Sequence, residues 1–332
     1  MPYVKLSAPG DVQMPLVGLG TWKATNEEID KALTTALDAG YRQIDTAFNY
    51  NNEEAIGSVL KKWISSGKGK RENVFITTKL PVFGNRAGDV EKYLNWSLKN
   101  LQTDYVDLYL IHMPFSLIPD DTGLSPKTNE DGSFVLDLEA NNVETWKAME
   151  KSLKDGKIRA LGVSNFNAMQ VKKLYENSEI KPSVLQVELH AYLQQKDLRA
   201  TCKELNIAIT AYAPLGSPHA KSHFIEKYNY NKTDFPDILG HPVVKELAEK
   251  YNKTTGQILL RHLVQQNVII IPKSSNPERI KQNIDVFNFE LSPEDLERLN
   301  ALDRGEDGRI FDFRFFKGIT KHPEYPFNFK EE

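Results

Sequence analysis

The sequence predicts an α/β fold: a closed (β/α)8 barrel of the TIM type, preceded by an N-terminal β-hairpin and followed by a long C-terminal loop. Two observations predict it. Short runs rich in β-branched residues alternate eight times with longer segments of helical periodicity. The short runs are apolar along nearly their whole length, as parallel strands buried on both faces must be. A third observation disfavours the open doubly wound sheet. The only early glycine pair, Gly18-Leu19-Gly20, lacks a third glycine and is not followed directly by a helix.

In chain order, the predicted barrel strands are residues 17–20, 42–45, 74–79, 106–112, 160–164, 184–188, 208–212 and 268–271. Helical periodicity covers 27–39, 54–64, 90–100, 139–155, 168–177, 196–205 and 243–266, with a break near 254–256, and a final helix covers 277–286. Eight strand–helix units suit a closed barrel. Three segments fall outside the repeat. Residues 3–16 contain a Pro9-Gly10-Asp11 turn and read as a hairpin closing the barrel floor. Residues 115–138 form a long polar loop after the fourth strand, and long loops on such scaffolds tend to be functional. Residues 304–332 form a tail carrying Phe311, Phe313, Phe315, Phe316, Tyr325, Phe327 and Phe329, which serves either the core or the site. No low-complexity linker interrupts the chain, so 1–332 is expected to be one domain.

Composition excludes several classes of function. The 332 residues are 40% hydrophobic and 26% charged, ordinary values for a globular chain with a large core. A net charge of −3 gives no general attraction for nucleic acid or an anionic membrane. A single cysteine, Cys202, favours a reducing compartment, and the first twenty residues do not read as a secretory signal. The expectation is a cytoplasmic protein without membrane or nucleic-acid partners. A metal-dependent hydrolase on the same barrel would need several histidine and carboxylate ligands at strand ends. Only His112 and His190 come close, and no metal is expected.

In a parallel barrel, chemistry sits where the strands end. Asp45 closes the second strand, Tyr50 lies in the loop after it, Lys79 closes the third and His112 the fourth. Buried aspartate and lysine are rare unless paired. An Asp45–Lys79 ion pair would keep an ammonium at the barrel mouth, and that charge is expected to lower the phenol pKa of Tyr50 towards neutrality. Tyr50 would then serve as a general acid towards a carbonyl oxygen that His112 orients. Singly, each residue has a plain structural explanation, as helix cap, satisfied histidine or packing tyrosine. Four at successive strand ends are hard to explain that way.

The motifs resemble those of the aldo-keto reductase family. The stretch from Gly40 to Gly57 looks like its first signature, Arg159–Phe166 its second, and Ile271–Asn283 its third, with Leu110-Ile-His-Met-Pro114 and Tyr212–Ser217 between them. The resemblance runs from about residue 3 to residue 300. It implies a monomeric NADPH-dependent reductase of small or medium-sized apolar aldehydes and ketones, with Asp45, Tyr50, Lys79 and His112 as the family tetrad. It further implies that Tyr212 stacks on the nicotinamide and that Ser164, Asn165 and Gln186 bind its carboxamide. Thr21 and Trp22 would also meet the cofactor, and Leu215 and Ser217 would lie along the pyrophosphate. Lys273, Ser274, Ser275 and Arg279 would surround the 2′-phosphate, and Gln282 and Asn283 the adenine. Read without the resemblance, Lys273 and Arg279 make a site for a dianionic phosphate, the plain alternative being a solvated surface helix with ordinary basic residues. Asn276-Pro277 is a cap followed by proline at the first helical position, which aims free N–H groups and the positive dipole end at the loop carrying Lys273.

The implied substrate pocket is Trp22, Asn49, Tyr50, His112 and Met113. Relative to the best-known aldose and aldehyde reductases, Pro81 and Met113 stand where tryptophans are usual, Asn49 replaces an aliphatic residue, Gln43 a histidine, and Gln282 an acidic residue. Losing two indoles is expected to widen the pocket for bulkier carbonyls, steroid- or ecdysteroid-like. The pattern is similar to invertebrate, particularly insect, branches of the family. The alternative from a different class is a non-catalytic NADPH-binding sensor or structural protein on the same scaffold.

Overall fold

The computed structural model describes residues 2–218, 220–228 and 235–327; Phe329 lies outside them. Two short strands, β1 (Tyr3–Lys5) and β2 (Gln13–Pro15), pair antiparallel through Val4 and Met14. Their turn residues Leu6 and Val12, with Met14 and Leu16, pack against Phe75, Leu108, Ala160, Val184 and Ile269 of the barrel floor. The hairpin is thus a hydrophobic plug, as the sequence implies.

Eight parallel strands follow in order: β3 (Leu19–Gly20), β4 (Gln43–Asp45), β5 (Phe75–Leu80), β6 (Val106–Ile111), β7 (Ile158–Ser164), β8 (Val184–Glu188), β9 (Ala208–Tyr212) and β10 (Ile269–Ile270). The first and last are joined by parallel bridges Val17↔Ile270 and Gly20↔Lys273. The Gly18 N–H donates to the Ile270 carbonyl at 2.8 Å and the Ile270 N–H to Leu16 at 2.9 Å, which closes the barrel. These two strands are shorter than the sequence suggests, and Pro272 explains part of it, since it has no N–H with which to extend the ladder. Gly20 is required at the seam. A Cβ there would sit 2.5 Å from the Ile271 carbonyl oxygen.

The helices are α1 (Asn26–Asp38), α2 (Glu53–Ser65), α3 (Val90–Leu101), α4 (Asn142–Lys154), α5 (Ala168–Glu176), α6 (Lys196–Glu204), α7 (Lys221–Tyr228), α8 (Pro242–Tyr251), α9 (Thr255–Val264), α10 (Pro277–Ile284) and α11 (Pro293–Asn300). The predicted break in the 243–266 segment is present. Asn252 ends α8 in the left-handed region, and Thr254 caps α9 with a reciprocal bond to Gln257. Helix α4 starts later than predicted because Asn141 caps it. Two helices were not foreseen. Helix α11 carries a readable start signal, Ser292 capping and Pro293 at the first position, but stands outside the eightfold repeat. Helix α7 lies in the connection after β9 and buries Phe224.

The two non-repeat segments fold onto each other. The 115–138 loop doubles back through bridges Leu117↔Leu136 and Thr128↔Phe134. The tail docks on it: Phe134 donates its N–H to Lys317 at 3.0 Å, and Ser116 donates its own to His322 at 3.3 Å. No helix among the described residues is long and apolar enough to cross a membrane.

Candidate active site

The strand ends place Asp45, Lys79 and His112 at one rim, and the single turn Phe48–Tyr50 brings Tyr50 over them. The Lys79 ammonium donates to Asp45 Oδ1 at 2.6 Å, to the Thr46 carbonyl at 2.8 Å and to the Tyr50 hydroxyl at 3.3 Å. Lys79 is fully buried and Asp45 nearly so. Gln186 donates to the other oxygen of Asp45 at 2.7 Å. The rings of Tyr50 and His112 meet edge-on with centroids 5.7 Å apart. The four predicted residues are therefore one constellation.

Its electrostatics correct one expectation. Burial, and secondarily the Asp45 charge, hold the Tyr50 phenol well above its ordinary value instead of lowering it towards neutrality. The main reason is that burial strips the phenolate of water; Asp45, set against the ammonium, adds to this by offsetting the field that was expected to favour the phenolate. Burial also lowers the Lys79 ammonium from its ordinary value, against the pull of Asp45. The His112 imidazole is held well below its usual range, by burial and then by Lys79. At neutral pH the site thus presents a protonated phenol and a neutral imidazole, two hydrogen-bond donors on neighbouring rings. That arrangement suits an oxygen that is gaining negative charge.

Beside this group lies a polar shelf. Asn165, in the left-handed region at φ 64°, donates to the His112 carbonyl at 2.9 Å and accepts from the Tyr212 hydroxyl at 2.8 Å. Ser164 donates to the Gln186 carbonyl at 2.9 Å, and Thr21 to the Asp45 carbonyl at 2.8 Å. Leu215 and Ser217 lie half-buried in the loop after β9. At the other end, Asn276 caps α10 by accepting the Arg279 N–H at 3.0 Å, and the buried Ser274 hydroxyl accepts from the Asn276 N–H at 3.1 Å. Ser275 is half-buried, Arg279 and Gln282 are exposed, and Asn283 is buried. The Arg279 guanidinium has no acid partner among the described residues, and Lys273 has only Glu28 at 3.9 Å. This donor set fits a phosphate-bearing dinucleotide.

Of the pocket residues, Trp22 stands half-buried at the mouth and Asn49 is exposed. Met113 is buried, its sulfur 3.2 Å from the Asn165 amide nitrogen. Phe311 of the tail packs edge-on against Trp22 at 5.7 Å and lies 5.9 Å from Tyr212 and 5.5 Å from Phe224. The expectation of a wide, indole-poor pocket therefore meets a counterweight: tail and α7 phenylalanines line the mouth.

Sequence reasoning missed three residues at this rim, Lys23, Glu188 and Phe224. Lys23, whose ammonium lies 5.3 Å from the Trp22 ring, has its pKa lowered to about 8 by burial and then by Lys227 and Lys273. Its position one residue past Trp22 at a strand end was the available signal. Glu188 closes β8 as Asp45 closes β4, a charge ending an apolar strand. Phe224 and Phe311 face each other from segments distant in sequence, which no local pattern reveals.

Comparison with known proteins agrees with this geometry. Residues 16–304 match the aldo/keto reductase family. Proteins called aldo-keto reductase family 1 member A1 from Pongo abelii and Homo sapiens are 43% and 42% identical over 321 residues, 95% of this chain and 95% of each relative. The aldose reductase of Schistosoma japonicum is 36% identical and aligns over 98% of this chain and 99% of its own, with a TM-score of 0.87. An aldo-keto reductase of Bombyx mori, solved in complex with NADP, is also 36% identical and aligns over 98% of both chains with a TM-score of 0.83. The barrel, the rim constellation and this likeness along almost the whole length lead to one conclusion: the chain belongs to the aldo/keto reductase family of oxidoreductases.

Proposed function

We propose that the protein reduces aldehydes and ketones to alcohols with NADPH, with Tyr50 as the proton donor. The observation that carries the reading is the Tyr50–Lys79–Asp45 chain at 3.3 and 2.6 Å beside a neutral His112. When bound, NADPH supplies the hydride to the carbonyl carbon. Tyr50 and His112 hold the carbonyl oxygen by hydrogen bonds, and the Tyr50 proton passes to that oxygen as it becomes an alkoxide. Lys79 stabilises the phenolate left behind, and Asp45, held by Gln186, fixes Lys79.

Tyr212, Ser164, Asn165 and Gln186 would hold the nicotinamide end, aided by Thr21 and Trp22, with Leu215 and Ser217 along the middle. Lys273, Ser274, Ser275 and Arg279 would take the 2′-phosphate, and Gln282 and Asn283 the adenine. Lys23 adds a cation near Lys273. Trp22, Asn49, Met113 and Phe311 would surround the substrate. The packing of Phe311 on Trp22 and Tyr212 favours a flat or slender apolar carbonyl over a bulky fused-ring ketone. We further take the chain to act as a single domain, as a monomer and in the cytoplasm.

NADPH oxidation tests the reading, with 4-nitrobenzaldehyde against a steroid ketone. Turnover of the aldehyde is expected. Tight NADPH binding without turnover of any carbonyl would favour a non-catalytic sensor instead.

A further inference from the structure

We propose that Glu188 is a positioning residue that sets substrate selectivity by pinning Phe311 at the barrel mouth. The inference rests on the reading of the site given above. Glu188 ends β8 directly beside Tyr212 in the strand register and is fully buried. One carboxylate oxygen accepts the Ile310 N–H at 2.8 Å and faces His190 Nε2 at 2.9 Å; the other accepts the Phe311 N–H at 2.8 Å. The barrel thereby grips two consecutive backbone amides of the tail.

The residue type matters. The two tail N–H groups meet different oxygens of the side chain, both of which accept in a carboxylate, whereas an amide would turn an NH2 donor against one of them. His190, itself fully buried, donates to the same carboxylate and orients it, while its Nδ1 makes no hydrogen bond to the described residues. Nearby, the Arg309 guanidinium is buried against the Phe327 ring at 4.0 Å and feels the Glu188 charge. A buried carboxylate is tolerable here because three donors replace its water. Once the backbone at Phe311 is fixed, its ring has one place to go: against Trp22, Tyr212 and Phe224. The tail thus forms a fixed wall, registered by a strand-end carboxylate that does not touch Tyr50 or His112.

The test compares wild type, Glu188→Gln, Glu188→Asp, Phe311→Ala and Glu188→Gln/Phe311→Ala. The primary readout is kcat/KM for 4-nitrobenzaldehyde divided by that for a steroid ketone. Glu188→Gln turns an amide donor against one tail N–H, and loss of a charge-assisted bond corresponds to a drop in this ratio of about tenfold or more. The change is expected in KM, with kcat for the aldehyde held within about threefold. Phe311→Ala lowers the ratio similarly, and the double variant adds nothing further. Glu188→Asp, charged but shorter, falls between, and it serves if Glu188→Gln does not fold. A second readout needs no substrate: tryptic cleavage after Arg309 and Arg314 is faster in the Glu188 variants than in wild type.

An unchanged ratio in both Glu188 variants while Phe311→Ala shifts it overturns the proposal, as does wild-type tryptic resistance in them. If no form reduces any carbonyl, the reductase reading fails and the tail cleavage still decides whether Glu188 is the latch.

Discussion

Replacing Asp45 with asparagine tests the electrostatic core of the site. In the native protein a fully buried ammonium rests against an almost fully buried carboxylate at 2.6 Å. Asparagine keeps the shape and one acceptor oxygen but removes the charge, so Lys79 retains the Thr46 carbonyl and the Tyr50 hydroxyl and loses its counter-ion. Breaking one side of a buried pair costs about 3–5 kcal/mol. At about 2.1 cal/mol/K per residue over 332 residues, the unfolding entropy is about 0.7 kcal/mol/K, so Tm should fall by about 4–7 °C.

The pH dependence gives a sharper check. Burial already lowers Lys79, and Asp45 is the main force opposing that shift. Without Asp45 the folded-state value drops further, so the unfolded chain binds one more proton up to its reference near about 10.4. A folded-state pKa depressed below the unfolded one means that stability rises with pH in that window, by up to about 1.4 kcal/mol per unit. Wild type shares that slope above its own lowered folded-state value, so the Tm gap between Asp45→Asn and wild type should narrow as pH rises from the folded-state value of the variant to that of wild type, and level off above it. Thermal unfolding followed by circular dichroism at several pH values measures it. A variant melting within about 1 °C of wild type, or a gap that stays constant with pH, would refute the argument that Asp45 exists to hold a buried charge.

Three other outcomes are expected. Tyr50→Phe should bind NADPH normally, by fluorescence titration, yet lose about 10²–10⁴ in kcat, since only a general acid has gone; near-normal kcat would remove Tyr50 from the chemistry. Arg279→Ala should raise Kd for NADPH about tenfold while leaving NADH nearly unchanged, because only the former carries a 2′-phosphate for this guanidinium. Equal losses would move the phosphate elsewhere. For His112, the folded-state value lies well below the reference of about 6.5, so its stabilising contribution is lost as pH falls below that reference. His112→Gln should accordingly lose less stability than wild type between pH 7 and pH 5, measured by urea unfolding. Parallel losses would mean that the imidazole is not held neutral.

The sequence by itself determined the barrel and which polar side chains gather at its rim. A strand buried on both faces must be a short apolar run, and a charge that ends such a run lies at the mouth; Asp45, Lys79 and His112 were legible for that reason. The cap at Asn276 was equally legible, because a cap is settled within four residues, and so was the helix break near Thr254. Tertiary structure decided what depends on distance between remote segments. The sign of the Tyr50 shift turns on how closely Asp45 sits against Lys79 and how deeply all three are buried, and neither is encoded locally. The shape of the mouth depends on Phe311 meeting Trp22 across almost the whole chain, an encounter set by Glu188 gripping the tail. Periodicity reports which face of an element is buried; only the closed barrel shows which distant side chain covers it.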